Sequence, residues 1–258
     1  MTQVKVPDLR LDGKVVLISG TGGGQGRAAS LLFSAAGAVV VGCDINGATN
    51  DETAQLVRQN GAEMDASVVD IGDPDQARAW VEGAAARHGR IDVVYNNASH
   101  ALMAPIGEMT IEHWRTTMRN GLDAVFFVTR AAWSHLVASK GLVINIASVS
   151  GHAGSTAAPQ SAHCASKGGV LAFTRQIAVE GAPVGVRAVS ISPGLIETPG
   201  TRELLKDERA RGIMLADALI KRPGQPEEIA SLALFLASGV VSYITGSDYL
   251  VDGGRQAI

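Results

Sequence analysis

Short runs rich in valine and isoleucine alternate with helical patterns along almost the whole chain. The strand-like runs are KVVLISG at 14–20, AVVVGCD at 38–44, MDASVVD at 64–70, IDVVYNN at 91–97, GLVINIAS at 141–148, VGVRAVSIS at 184–192 and a last one in YLVDGG. Between them lie helical segments, including long ones at about 111–139 and 160–180. This alternation is typical of a parallel sheet with right-handed crossovers. We therefore predict an α/β fold: a doubly wound Rossmann-type parallel sheet of about seven strands with helices on both faces.

The same rhythm runs through all 258 residues without a linker, so we expect one domain spanning 1–258. A chain with 30 glycines and only 4% aromatic residues suits buried aliphatic strands joined by tight turns. Two segments dense in proline and glycine, 192–200 and 221–228, bracket a helical stretch. We interpret about 194–222 as a flap over the site, with an ordinary surface excursion as the alternative.

The charge balance favours small-molecule chemistry. A formal net charge of −3 supplies no basic field for nucleic acid or anionic lipid, so neither is expected as a partner. The two cysteines, Cys43 and Cys164, cannot build a disulfide framework, and the N-terminal residues lack an apolar signal core. No apolar run reaches membrane-spanning length. These features predict a cytoplasmic protein with reduced thiols.

A glycine-rich turn, SGTGGGQGR at 19–27, follows the first strand and opens a helix. In that position backbone N–H groups and a helix N-terminus can reach a pyrophosphate, although turns need glycine for other reasons too. Asp44 ends the second strand, where a carboxylate can bind ribose hydroxyls and repel a 2′-phosphate. NAD is thereby favoured over NADP, unless Asp44 is only a turn carboxylate. Arg27, the nearest cation, could simply be solvated.

From about residue 11 to 254 the chain resembles a short-chain dehydrogenase/reductase. The resemblance rests on the glycine turn, on VVDIGD around Asp70 and on YNNAS, which is similar to the family's N-N-A-G. Further matches are Asn120 in MRNGLDAVFF, Ser148 in INIAS, Lys167, ISPGLIETP and the tail RPGQPEE through VDGG. The resemblance implies a homotetramer in which the helices near 111–139 and 160–180 form one interface and the C-terminal strand region another.

The resemblance also implies a bound NAD and no metal. The cofactor-binding residues that it implies are Gly20, Gly24, Gln25, Gly26, Asp44, Asp70, Ile71, Asn97, Ala98, Lys167, Pro193, Gly194, Ile196 and Thr198. One departure from the family lies beside this set, because Ser99 stands where the family usually has glycine.

In the family, hydride passes between a nicotinamide and an alcohol or ketone. The resemblance gives Ser148 the role of polarising the carbonyl, Lys167 an electrostatic and ribose-binding role, and Asn120 a place in a proton relay. The tyrosine of the family's Y-x-x-x-K is missing: in HCASK, His163 stands in its place. Tyr95 is expected on the fourth strand and the next tyrosine is Tyr243, so no other alignment supplies the group.

Imidazole could serve as the proton acceptor. Its ordinary pKa near 6.5 suits a general base, and a nearby Lys167 should lower that pKa and make oxidation the easier direction. Imidazole is shorter than phenol, so the substrate must sit deeper or a water must bridge. The loop between Ser148 and His163 is slightly long for the family, and His152 and Ser155 are candidate substitutes within it.

We predict an NAD-dependent oxidoreductase for a secondary alcohol, with Asn120, Ser148, His163 and Lys167 as catalytic residues. Alternatives stay open: a lyase or hydratase that keeps NAD as a structural element, a non-catalytic NAD-binding or assembly subunit, and His163 as a mere pocket residue. His100, His152 and His163 have no metal-site spacing. Residues expected to line the substrate pocket are Ala101, Leu102, Met103, His152, Leu195 and 200–220, whose apolar character suits a bulky or cyclic alcohol.

Overall fold

A computed structural model of the chain describes residues 8–257, so the ends of the predicted domain 1–258 lie outside the described residues. Within that range seven parallel strands form one sheet in the order β3-β2-β1-β4-β5-β6-β7. The strands are β1 Val15–Ser19, β2 Val39–Asp44, β3 Met64–Val68, β4 Val93–Asn96, β5 Leu142–Ile146, β6 Arg187–Pro193 and β7 Asp248–Val251. The predicted strand number and parallel topology are confirmed.

Helices cover both faces of this sheet, as predicted. In the described part of the chain they are α1 Gly24–Ala35, α2 Gly47–Gln59, α3 Pro74–His88, α4 Ile111–Met118, α5 Ala124–Ser139, α6 Ser161–Gly181, α7 Pro199–Lys206, α8 Glu208–Met214 and α9 Pro226–Ala237. One apolar core lies between the sheet and α1, α2 and α9, and a second lies between the sheet and α3, α5 and α6.

Strand β1 shows why both faces must be covered. Its successive side chains point to opposite faces, so Val16 and Ile18 enter the first core while Val15 and Leu17 enter the second. Every residue of β1 is buried. A strand with no polar face is stable only between two layers of helices.

The helix predicted over 111–139 is not continuous. A π-helical turn, Arg119–Asp123, separates α4 from α5, and the N–H of Ala124 donates to the carbonyl of Arg119 five residues earlier. Asn120 and Gly121, both poor helix formers, lie inside this turn. The extra residue that a π turn accommodates shifts the side chains after it around the helix axis, and such turns often mark functional sites.

The strand order reverses beside β1, which lies between β2 and β4. Parallel sheets open a crevice at such a point, beyond the carboxyl ends of the strands. The glycine turn follows β1 and the segment 97–100 follows β4, so both predicted motifs flank this crevice. No helix formed by residues 8–257 is long and apolar enough to span a membrane.

Candidate active site

A cavity of about 730 Å³ occupies the crevice. Predicted site residues that line it are Gly20, Gly24, Gln25, Asp44, Asp70, Ile71, Asn97, Ala98, Asn120 and Thr198. Thr198 comes from the start of the predicted flap, whose helical part consists of α7 and α8. The structure therefore brings together residues from across most of the chain.

The glycine turn is compact because its backbone segments touch. Gly20 and Gly24 have φ values of +75° and +52°, which favour glycine. A Cβ on Gly26 would lie 2.0 Å from the carbonyl oxygen of Gly20, so no larger residue fits there. Helix α1 begins at Gly24, and the N–H groups of its first turn have no partner within the helix. The turn thus presents donors and a helix N-terminus to the cavity.

Asp44 is oriented by backbone donors. Its Oδ2 accepts from the N–H of Gly22 at 2.9 Å, and its Oδ1 accepts from the N–H of Asn46 at 2.9 Å. Arg27 is not simply solvated: its guanidinium pairs with Glu52 at 2.7 Å and donates to the carbonyl of Gly22 at 3.1 Å. The positive charge of Arg27 is therefore already matched by a carboxylate.

The end of β4 is tied to the glycine turn. Asn97 donates from Nδ2 to the carbonyl of Ser19 at 2.9 Å, and the N–H of Ala98 donates to Ser19 Oγ at 3.1 Å. Ser99, the departure from the family noted in the sequence, lines the cavity together with His100. These bonds hold the segment after β4 against the start of the glycine turn.

Sequence reasoning missed Arg119, which lies beside two predicted residues. Its Nη2 donates to Asp70 Oδ2 at 2.7 Å, and its Nη1 donates to Asn120 Oδ1 at 3.1 Å. The other carboxylate oxygen of Asp70 accepts from the N–H of Gly72 at 3.0 Å. The available signal was the cation directly before Asn120 in MRNG.

Ser148 and the ammonium of Lys167 both lie near the carboxyl end of β5. Ser148 directly follows Ala147, and its Oγ accepts from the N–H of Ser150 at 3.1 Å, so Ser148 caps the short turn Val149–Gly151. Lys167 is only 4% exposed and donates from Nζ to the carbonyl of Ile146 at 2.8 Å. Burial lowers the pKa of this ammonium from 10.5 to about 8.

His163 lies one helical turn before Lys167 on α6. Burial, and then the charge of Lys167, lower the pKa of the imidazole from 6.5 to about 4. Its Nδ1 is buried and has no hydrogen-bond partner among residues 8–257. The ring is therefore neutral at physiological pH, as the sequence led us to expect from the neighbouring lysine.

Other predicted residues lie outside the lining of this cavity. These are Gly26, Ser148, His163, Lys167, Pro193, Gly194 and Ile196. Gly194 donates its N–H to the carbonyl of Val251 at 3.0 Å, and Ile196 is buried in the first core. Tyr95 lies on β4 as expected, where it is fully buried against Phe33 and its pKa is raised by burial.

The candidate substitutes in the loop after Ser148 are occupied by other partners. His152 Nε2 lies 2.8 Å from Asp248 Oδ2 and 3.3 Å from Ser192 Oγ, which ties the loop to β7. Ser155 Oγ accepts from the guanidinium of Arg255 at 3.3 Å. In the part of the chain that the structure describes, no group of three or more His, Cys, Asp or Glu side chains is arranged to hold a metal ion.

Residues 20–256 match a family model described as enoyl-(acyl carrier protein) reductase. The chain belongs to the short-chain dehydrogenase/reductase family. It is 37% identical to a 3-oxoacyl-[acyl-carrier-protein] reductase FabG from Thermotoga maritima over 95% of this chain and 99% of the relative. It is 36% identical to meso-2,3-butanediol dehydrogenase from Serratia marcescens, with 96% and 97% covered. A cyclopentanol dehydrogenase from a Comamonas species is 32% identical, with 96% and 99% covered.

Solved structures of this family superimpose along nearly the full chain. The crystal structure of gox2181 gives a TM-score of 0.94 at 29% identity, covering 97% of this chain and 98% of that one. A 7α-hydroxysteroid dehydrogenase complexed with NADH gives 0.90 at 27% identity, with 96% of each chain covered. A structure from Agrobacterium tumefaciens with bound NADP gives 0.88 at 31% identity, with 97% and 99% covered. This chain is thus an oxidoreductase of a family that binds nicotinamide cofactors.

Proposed function

We propose that this short-chain dehydrogenase/reductase is a single-domain, NAD-dependent enzyme that interconverts a secondary alcohol, cyclic or bulky, and its ketone. The observation that most supports this is His163, whose neutral ring lies one turn from the buried ammonium of Lys167 on the same helix. A neutral imidazole next to a fixed cation can accept a proton from an alcohol, but its imidazolium form does not persist beside that charge.

The crevice fits a dinucleotide. Its volume of about 730 Å³, the donors of the glycine turn and the clearance that Gly26 provides suit a pyrophosphate held at the start of α1. Asp44 supports NAD in particular, because a carboxylate accepts from ribose hydroxyls and repels a 2′-phosphate. Arg27 does not reverse that choice, since Glu52 already neutralises its charge. The proposed binding set is completed by Asp70, Ile71, Asn97, Ala98 and Thr198. It also includes Lys167, Pro193, Gly194 and Ile196, which lie outside the lining of the cavity.

In the proposed oxidation the alcohol loses a hydride from its carbinol carbon and a proton from its hydroxyl group. A bound NAD would supply the acceptor for the hydride of the carbinol carbon, so the hydroxyl proton must go to the protein. The Ser148 hydroxyl donates to the substrate oxygen, and a ring nitrogen of His163 accepts the proton directly or through one water. Lys167 would hold the nicotinamide ribose, and its charge disfavours a second cation beside it, so the proton leaves His163 toward Asn120 and solvent.

This arrangement favours oxidation over reduction. Ketone reduction needs the imidazolium form of His163, and with a pKa of about 4 only about one molecule in a thousand carries it at pH 7. Alcohol oxidation needs the neutral form, which is nearly fully populated. At neutral pH the proposed enzyme is therefore in the protonation state that oxidation needs, whereas the state that reduction needs is rarely populated.

The substrate class rests on the pocket residues and on relatives. Leu102 is partly buried and its N–H donates to Thr117 Oγ1 at 3.0 Å, while Met103 next to it is exposed. Thr198 and Gly200, at the start of the proposed flap over 194–222, already line the cavity. Relatives named for butanediol and cyclopentanol suggest secondary and cyclic alcohols as the first substrates to test.

We further propose a cytoplasmic homotetramer without nucleic-acid or membrane partners. Exposed apolar side chains lie on the helices of one proposed interface, at Ile111, Phe126 and Val179, and near the C-terminal strand of the other, at Tyr243 and Leu250. Burying such side chains between subunits removes apolar surface from water.

One alternative has a specific observation in its favour. A histidine with a pKa of about 4 is a weak base, and its unpartnered Nδ1 offers no ready path for a proton. A non-catalytic NAD-binding subunit needs no base at this position, so this observation favours it over a dehydrogenase.

The test compares the natural protein with His163→Ala and His163→Tyr, each with NAD and a panel of secondary and cyclic alcohols, by absorbance of reduced nicotinamide. We expect alcohol-dependent NADH formation that falls at least about a hundredfold in His163→Ala, the usual contribution of a general base. Full turnover by His163→Ala would refute the role of His163. Turnover by His163→Tyr alone would show that hydride chemistry has been lost in the natural protein.

A further inference from the structure

Arg119 connects two residues that come from distant parts of the chain. It is the first residue of the π turn, and its guanidinium lies between Asp70, beyond the end of β3, and Asn120. The N–O distances are 2.7 Å to Asp70 and 3.1 Å to Asn120. Arg119 also lines the cavity.

The chemistry of the guanidinium decides how the Asn120 amide is oriented. Arginine only donates hydrogen bonds, whereas a side-chain amide has one accepting and one donating end. The end of Asn120 that faces Arg119 must therefore be the oxygen. The Nδ2 group is directed away from Arg119 and is left as the donating end, which is the property that a relay residue must have fixed.

Gly72 leaves the space that this arrangement needs. A Cβ on Gly72 would lie 2.7 Å from Arg119 Nη1 and 3.1 Å from Asn120 Oδ1. The N–H of Gly72 also donates to Asp70, so the same residue orients the carboxylate that holds the guanidinium. Any side chain at this position would displace the end of the Arg119 side chain, which is flexible enough to move without unfolding the protein.

We propose that Arg119 is a positioning residue: held by Asp70 and accommodated by Gly72, it fixes the amide of Asn120 so that Nδ2 serves as the donor in the proton relay. This inference rests on the proposed function, in which Asn120 belongs to that relay. It adds a role for Arg119 that the family motifs do not contain.

The kinetic test compares Arg119→Met with Arg115→Met, which removes a cation one turn earlier on the same helix surface. Arg119→Met should lower kcat about fivefold, less than a buried charge-assisted bond would give because the guanidinium is 42% exposed. The Kd for NADH, from fluorescence titration, should change less than twofold. Arg115→Met should change neither quantity.

Further variants separate positioning from other roles. In an Asn120→Ala background, Arg119→Met should lower kcat no further, since the residue that it orients is gone. Gly72→Ala should reproduce the loss of kcat while keeping the arginine. If Arg119→Met weakened the Kd for NADH tenfold and left kcat unchanged, the proposal would be overturned and Arg119 would be a cofactor-binding residue. The proposal would also be overturned if the losses of kcat in Arg119→Met and Asn120→Ala multiplied in the double variant.

A readout without turnover keeps the proposal testable if the redox function itself fails. In protein labelled with ¹⁵N-asparagine, the side-chain amide signals of Asn120 are identified by their loss in Asn120→Ala. These signals should shift in Arg119→Met and in Gly72→Ala but not in Arg115→Met. Unchanged signals in the first two variants would refute the orientation by Arg119, whereas shifted signals in a protein without dehydrogenase activity would refute only the proposed function.

Discussion

Replacing Lys167 by methionine should stabilise the protein without cofactor while abolishing its proposed activity. The ammonium is 4% exposed and has one acceptor, the carbonyl of Ile146 at 2.8 Å. A pKa lowered from 10.5 to about 8 corresponds to about 3 kcal/mol of unfavourable burial at neutral pH. Methionine has a similar length and no charge, but it loses the hydrogen bond, worth about 1 kcal/mol.

The net gain of about 2 kcal/mol should raise the melting temperature by about 5 °C for a chain of this size. It should also depend on pH in a definite direction. Below pH 8 both the folded and unfolded states carry the charge, so the burial cost is complete. As pH rises through 8 toward 10.5 the folded lysine loses its proton first, and the cost falls to about 1 kcal/mol by pH 10.

Thermal or denaturant unfolding of both proteins at pH 7 and pH 10, at one protomer concentration, measures this difference. Lys206→Met provides the control, because Lys206 is 66% exposed and its loss should leave stability nearly unchanged at both pH values. A Lys167→Met protein that is less stable than the natural one at pH 7, or a gain that is the same at pH 10, would refute the reasoning.

Three further predictions concern the same site. Alcohol oxidation by the natural protein should show a kcat/KM that is flat from pH 5.5 to 7.5, because the pKa of His163 is lowered to about 4; a steady-state profile with an inflection near 6.5 would contradict this. Asp44→Ala should weaken NAD binding about tenfold and reduce the preference for NAD over NADP. Calorimetric Kd values for the two cofactors measure both effects. Gly26→Ala should abolish cofactor binding, since the new Cβ would lie 2.0 Å from the Gly20 carbonyl oxygen. As a control, Gly83→Ala on α3 places its Cβ in open space and should stabilise the protein by about 0.5–1 kcal/mol in denaturant titrations.

Much of the fold could be predicted because it depends on local patterns. Alternating apolar strands and amphipathic helices fix a parallel sheet, and the glycine spacing after β1 fixes where its crevice opens. The interruption at Arg119–Asp123 could not be predicted in the same way, since a π turn differs from an α-helix by one hydrogen-bond register. Asn120 and Gly121 indicated a weak helix at that point, but not which register it adopts.

Side-chain partners were harder to predict because the sheet brings distant residues together. His152 was a candidate substitute in the catalytic loop, yet it lies against Asp248, 96 residues away. That contact depends on the register that pairs Ser190 of β6 with Asp248 of β7. Arg119 and Asp70 are separated by 49 residues and meet for a similar reason. Spacing within one motif carries no information about such pairs.

The burial of His163 and Lys167 connects the proposed direction of the reaction with the relay. Two cations one helical turn apart cannot both be stabilised in a site that lowers both pKa values. A proton that His163 accepts from an alcohol is therefore held unfavourably and must leave before the next turnover. In the proposed enzyme a weakly basic His163 can turn over only if hydrogen-bond donors and acceptors that lead from it to solvent are already oriented. An Asn120 amide fixed by Arg119 would supply that orientation, so the replacement of tyrosine by histidine and the guanidinium beside Asn120 would serve one mechanism.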